Sequence, residues 1–178
     1  MFEKGDIVLV HGAKTLSKAI LFVLRRFQKD DVYYTHVILC CGGNEGIEAN
    51  IIINKCNIED KLQKAIRYKV IRNNHLTDLQ KDRMVKMCSS LLYVPYGVSR
   101  LLMQLGDQIT GTNFFTKRIK SKYVQVCSSL VAWSYYSVAK IKFNGVDWKA
   151  CEPDDIDDES IKNPQSWMII SSKNLLSK

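Results

Sequence analysis

The chain reads as an α+β protein, a small antiparallel sheet packed against helices. Two observations predict this class. Short β-rich runs recur at residues 7–10, 33–40, 47–53, 68–72 and 167–170. Between and after them lie stretches with helical spacing of apolar residues, the clearest at 15–28, 77–92 and 126–141. A length of 178 residues with 46% apolar content suits one domain with a real core, spanning 1–178.

The elements follow in order. Gly5-Asp6 precedes the apolar run Ile7-Val8-Leu9-Val10, a first strand that His11-Gly12 ends. From Thr15, apolar residues recur at Leu16, Ile20, Val23, Leu24 and Phe27, giving a helix with one buried face. Residues 33–40 alternate, with Tyr34, His36, Ile38 and Cys40 on one face and Tyr33, Thr35, Val37 and Leu39 on the other. Both sets look largely buried, as in a central strand. The turn Gly42-Gly43-Asn44-Glu45-Gly46 predicts a hairpin that lays residues 47–53 against 33–40. Residues 68–72 form another strand.

Thr77 and Gln80 make a capping-box pattern for the next helix, with Met84, Met87, Cys88 and Leu91 on one face. Val94-Pro95-Tyr96-Gly97 ends it, and residues 98–105 read as the start of a further helix. Residues 110–113 and the basic 117–122 read as loop. Residues 126–141 are the last long helix. An acidic loop with Pro153 follows, and residues 167–170 form a late strand.

Charge and cysteines bound the functional classes. The net charge is +8, and residues 152–159 hold six acids and no base, so the remainder carries about +14. That balance suits an anionic partner such as a phospholipid surface, a cell wall polymer or nucleic acid. The plainer reading is a solvated surface. There is no aromatic-interleaved basic stripe, helix-turn-helix or zinc-finger spacing, so no specific nucleic-acid partner is predicted. No Gly-rich phosphate loop appears, which argues against nucleotide chemistry. No cofactor is expected. Cys40-Cys41, with His36 and Cys56, match no structural zinc spacing. The acidic run Asp154 to Asp158 lacks the glycine and terminal glutamate of a calcium loop, so a solvated charge run is expected there. Met1 leads directly into structure with no signal-peptide pattern, and no apolar run reaches membrane-spanning length. Reduced cysteines and a cytoplasmic or virion-associated location are the expectation.

Three residues carry the chemistry. Cys127 stands at the start of an apolar helix, His36 on a strand, and Glu48 on the next strand. A thiol, an imidazole and a carboxylate so placed are the parts of a cysteine hydrolase site. That chemistry needs a stabilised thiolate, a base for its proton and a group to orient the base. Each also has a plainer reading. Cys127 could be a small buried hydrophobe, His36 a packed core residue and Glu48 a solvated edge carboxylate. His11 could line the site or sit at the surface. His75 reads as a loop residue. Tyr96 could wall a substrate cleft or pack in the core.

Gly5-Asp6-Ile7-Val8, then Tyr34-Thr35-His36-Val37-Ile38, then Ile47-Glu48-Ala49, then Val126-Cys127-Ser128-Ser129-Leu130-Val131 together resemble the permuted NlpC-type papain-like cysteine hydrolases, in their YiiX-like and poxvirus-type branch. The resemblance runs from residue 5 to about residue 156 and takes in Tyr96-Gly97 and Pro153-Asp154-Asp155. It implies a circularly permuted papain-like fold, in which the Cys helix follows the sheet instead of preceding it. It implies Cys127 as nucleophile, His36 as base and Glu48 as the third, polar member. Ser129 departs from the pattern, since many relatives carry Glu in a Cys-Ser-Glu run. The backbone N–H of Cys127 is the expected oxyanion donor, with Gln125 or Tyr34 as a side-chain addition. The substrate is then an amide or ester, either a lipid-linked acyl group or a cell wall or other peptide, cleaved through a thioacyl-enzyme. Two other classes compete: a binding or structural domain that kept the fold without turnover, and a nucleic-acid accessory protein argued only from charge. The oligomeric state is not legible.

Overall fold

The computed structural model describes residues 1–12, 33–50, 52–94 and 127–173. The expected helices at 15–28 and 98–105, the loops at 110–113 and 117–122, and the residues Tyr96 and Gln125 lie outside the described residues.

Six described strands form one antiparallel sheet: β1 (Ile7–Gly12), β2 (His36–Gly42), β3 (Glu45–Ala49), β4 (Ile53–Asn57), β5 (Ala65–Asn73) and β6 (Trp167–Lys173). Their spatial order is β4-β3-β2-β1-β5-β6. The helices are α1 (Ile58–Lys64), α2 (Asp78–Ser89), α3 (Cys127–Ala139) and α4 (Pro153–Lys162). The sheet and helices give the α+β class that the sequence predicts.

Alternation along the strands makes two cores. Ile7, Leu9, Val37, Leu39, Ile47 and Ile71 face α2 and α3, meeting Met84, Cys88, Leu130, Val131 and Tyr135. Val8, Val10, Ile38, Cys40 and Val70 face the other way and are covered by Ile58 of α1. The Gly5-Asp6 pair serves this framework. Gly5 takes a left-handed φ of 82°, its carbonyl accepts the buried Tyr135 hydroxyl, and fully buried Asp6 holds Arg72 through Nε at 2.7 Å and Nη2 at 2.8 Å.

Four expectations shift. Strand β2 begins at His36 rather than residue 33, because the N–H groups of Tyr33 and Tyr34 donate to the Asp154 carboxylate at 3.3 and 3.1 Å instead of to a neighbouring strand. The run 47–53 divides into two strands, since Asn50 turns the chain with its N–H on the Ile52 carbonyl at 3.1 Å. Helix α1 was not anticipated, although Asn57 accepts the Asp60 N–H at 2.9 Å as an ordinary N-cap.

The fourth shift is the largest. The acidic run is a helix, α4, rather than a loop or a solvated charge run. Pro153 suits its first turn, and Asp154 and Asp155 face the positive end of the helix dipole. Its acids have assigned partners. Asp155 accepts the Glu152 N–H at 2.8 Å, Asp157 pairs with Lys69 at 2.6 Å, and Glu159 accepts the Asn144 N–H at 2.9 Å. Elsewhere α2 has the capping box read from Thr77 and Gln80, and β5 and β6 extend the strands read at 68–72 and 167–170.

Gly46 lets α1 approach β3. A Cβ there would stand 2.6 Å from Ile38 Cγ2 and 3.2 Å from Ile58 Cγ1. Gly46→Ala is therefore expected to destabilise the protein by about 1–3 kcal/mol through overpacking. Denaturant unfolding checks this, and an unchanged midpoint would show that Ile38 and α1 move aside freely.

Candidate active site

The geometry starts from the β2–β3 hairpin. His36 opens β2, and Ile38 pairs directly with Glu48 on β3. His36 and Ile38 share a face, so Glu48 is the diagonal neighbour of His36 on that face. The imidazole Nε2 lies 2.9 Å from Glu48 Oε2. Glu48 is 1% exposed, a burial tolerated by a carboxylate only when it is fully paired.

The second oxygen of Glu48 supplies the rest of that pairing. Lys61 Nζ on α1 donates to Oε1 at 2.6 Å, and Asn54 Nδ2 on β4 donates to the same oxygen at 3.4 Å. Sequence reading missed both residues. The helical spacing after the Asn57 cap could have placed Lys61 on a helix, but nothing local said that this helix covers Glu48.

Cys127 comes from the opposite core. It is the first residue of α3, whose Leu130, Val131 and Tyr135 are buried in the cluster that contains Val37 of β2. The His36 ring and the backbone N–H groups of Val37 and Ser128 lie close enough to the sulfur to favour its charged form. Since Nε2 is turned to Glu48, the ring nitrogen left for the sulfur is Nδ1. The structure thus brings Cys127, His36 and Glu48 into one line, with Lys61 behind it.

The charges in this line reinforce one another. Burial opposes a Cys127 thiolate, but the His36 charge, the His36 hydrogen bond and the two backbone N–H groups outweigh it, so the thiol lies below its ordinary value. Burial likewise opposes a charged His36, yet Cys127 and Glu48 push it up to about 9. Burial alone would raise Glu48, but His36 and Lys61 hold it down to about 2. The other five cysteines go the opposite way. Burial raises Cys41 to about 11 and Cys56 and Cys88 to about 12, and it also raises Cys40 and Cys151. Among the six thiols, only Cys127 lies below its ordinary value.

The remaining candidates separate clearly. Tyr34 is buried in the α3-side core, and burial pushes its hydroxyl up to about 12. It therefore leaves the face that its alternation with His36 assigned to it, because the chain bends at Thr35 before the strand begins. Ser129, which stands where relatives of the resembled family carry Glu, is fully buried and donates to the Lys149 carbonyl at 3.5 Å. His75 is an exposed turn residue beyond β5, as expected. His11 pairs with Arg67 across β1 and β5 and is half-buried.

No protein-family model matches the chain. No curated protein matches it either. A solved structure does: the crystal structure of metalloprotein yiiX from Escherichia coli O157:H7, DUF1105. It superposes with a TM-score of 0.60 at 15% sequence identity, covering 96% of this chain and 97% of that one. The chain has a yiiX-like fold. The α+β architecture with an open antiparallel sheet is therefore shared over nearly the full length of both chains.

That yiiX is described as a metalloprotein makes the donor set here a direct question. A metal ion needs several donors converging on one point. The His36 nitrogens face Glu48 and Cys127, and the Glu48 oxygens face His36 and Lys61. Among the described residues no three His, Cys, Asp or Glu side chains converge in that way. The described residues of this yiiX-like chain do not fit a metal ion. Among them no helix is long and apolar enough to cross a membrane.

The pKa shifts fix how stability responds to pH. Glu48 is lower in the folded state than an unfolded glutamate (about 4.3). Its contribution is present above that value and drains away as pH falls towards about 2. His36 is higher than an unfolded histidine (about 6.5). Its contribution is complete below that value and is lost as pH rises through about 9. Glu48→Gln should lower the His36 midpoint by about one pH unit or more. It should also remove the Glu48 share of the acid-side stability loss. An NMR titration of the His36 ring, run beside pH-dependent unfolding, measures both; an unmoved midpoint would show that Glu48 does not hold the imidazolium.

Proposed function

We propose that the protein is a cysteine hydrolase with a circularly permuted papain-like arrangement, cleaving an amide or ester through a thioacyl-enzyme. The observation that carries this reading is His36 held between the Cys127 sulfur and the Glu48 carboxylate, with Cys127 alone among the cysteines pulled towards the thiolate. The shared yiiX-like fold supports the architecture, not the chemistry.

Cys127 is the nucleophile. Its sulfur electron pair forms an S–C bond to the substrate carbonyl, and the carbonyl oxygen becomes an oxyanion. The Cys127 backbone N–H, at the positive end of α3, stabilises that charge, with Gln125 or the Tyr34 hydroxyl as a side-chain donor. The intermediate collapses by breaking the C–N or C–O bond, and His36 gives its proton to the leaving amine or alcohol. A water then attacks the thioester while His36 takes its proton. The C–S bond breaks, the acid departs and the thiolate returns. Glu48 keeps His36 oriented through both steps and stabilises its charged form whenever it holds the proton. The net charge of +8 fits a substrate on an anionic lipid surface, with a peptide as the other candidate. Tyr96 is a candidate wall of the substrate cleft.

A second reading has one observation in its favour: Cys127 is only 8% exposed. A domain that keeps the fold for binding and no longer turns over would show such a thiol. Site-mapped labelling with a small electrophile across pH separates the two. We expect Cys127 to label ahead of the other five cysteines with an apparent pKa well below that of free cysteine (about 8.5), and His36→Ala to abolish this advantage. On a panel of lipid esters and peptide amides, Cys127→Ala should fall to the uncatalysed background. Labelling no faster than the other thiols, or turnover that survives Cys127→Ala, would sink the hydrolase reading.

A further inference from the structure

The nucleophile and its base belong to separate elements, and their separation is set by how the start of α3 sits against the start of β2. Two further contacts bear on that position. Ser128, next to the nucleophile, is buried and donates its hydroxyl to the Cys151 carbonyl at 2.6 Å. Three residues further on, Asp154 accepts the N–H groups of Tyr33 and Tyr34 at 3.3 and 3.1 Å, immediately before His36. Residues 151–154 therefore tie the start of the cysteine helix to the start of the histidine strand.

This short segment is stiff and anchored. Cys151 is 2% exposed, Pro153 has a fixed φ, and Glu152 and Asp155 close a capping box around it. One turn later, Lys69 of β5 grips α4 through Asp157 at 2.6 Å and Ser160 at 2.9 Å. Helix α4 cannot slide along the sheet without breaking this partly buried ion pair.

We infer that residues 151–154 are a strap that sets the Cys127–His36 distance, and that Asp154 is a positioning residue for the proposed reaction. Asp154 acts on His36, and so on its distance from the nucleophile, through the backbone of Tyr33 and Tyr34. The inference rests on the hydrolase reading. Burial is the main reason that Asp154 is pushed up to about 6, against the two N–H bonds that lower it. Asp157 and Glu152 raise it further. A carboxylate kept in that environment is consistent with a built contact rather than a solvated acid.

The sign of one measurement separates positioning from simple charge. Removing an anion near a thiolate lowers the thiol pKa by Coulomb's law. Loosening the strap does the opposite, since Cys127 loses its imidazolium partner. The test is site-mapped iodoacetamide labelling of Cys127 across pH on wild type, Asp154→Ala and Asp154→Asn, with unfolding midpoints taken alongside. Asp154→Ala should raise the apparent pKa of Cys127 and slow its labelling at pH 7 by at least about tenfold, as misplacement of a reacting group does. Asp154→Asn keeps a carbonyl acceptor for the Tyr34 N–H and should recover most of the rate.

A folded Asp154→Ala with a wild-type or lowered Cys127 pKa overturns the strap. If Asp154→Ala does not fold, Ser128→Ala cuts the other end, and the same rise supports the strap while an unchanged pKa overturns it. A wild type whose Cys127 shows no depressed pKa overturns the hydrolase reading and the strap together, whereas an unchanged variant against a depressed wild type overturns the strap alone.

Discussion

The partly buried His36 ring, held charged, is the constraint on which the site rests. His36 loses solvation for its charge and keeps it only because an anion stands on each side. One of those anions, Glu48, is itself buried and needs a second cation, which Lys61 supplies. The result is a line of alternating charge from Lys61 through Glu48 and His36 to Cys127. Each member stabilises its neighbour, and loss of His36 leaves Cys127 without its cation and Glu48 with Lys61 alone. This mutual dependence is what separates Cys127 from five other thiols that burial keeps protonated.

The fold meets that constraint from both faces of one sheet. The α1 face carries Glu48 and brings Lys61 over it. The α3 face brings the thiol to the beginning of β2. Register is decisive on the first face. With Ile38 opposite Glu48, the carboxylate shares a face with His36, and a slip of one residue would turn it to the other core. Gly46 contributes by omission, since the absence of a side chain there lets Ile58 pack down and carry Lys61 with it. The two faces meet at the start of β2, where His36 and the Val37 N–H both lower the Cys127 thiol.

Helix α4 shows how a surface-looking feature can be structural. Its acids carry much negative charge in a few residues, yet they cap the helix, pair with Lys69 and hold Asn144. The positive excess elsewhere in the chain is therefore only partly free to meet an external partner. The Lys69 pair also explains why α4 stays in place beside the segment that precedes His36.

Much of this protein was written in local pattern. Short β-rich runs located β1, β2, β5 and β6, the Thr77 and Gln80 pair located α2, and the apolar run from Cys127 located α3. Cysteine, histidine and glutamate were legible as candidates because a carboxylate among isoleucines is costly unless paired, and a thiol at a helix start with an imidazole on a strand completes the parts of a cysteine hydrolase site. The breaks in pattern were harder. Asn50 divides one apolar run into two strands, and Asp154 draws Tyr33 and Tyr34 out of the sheet, each through a hydrogen bond whose partner local spacing did not identify. The sequence by itself determined which residues could do chemistry, because side-chain type and period are local properties. Only the tertiary structure decided which of them meet, because Lys61 against Glu48, Asp157 against Lys69 and Cys127 against His36 are contacts between distant segments, set by strand register and helix docking.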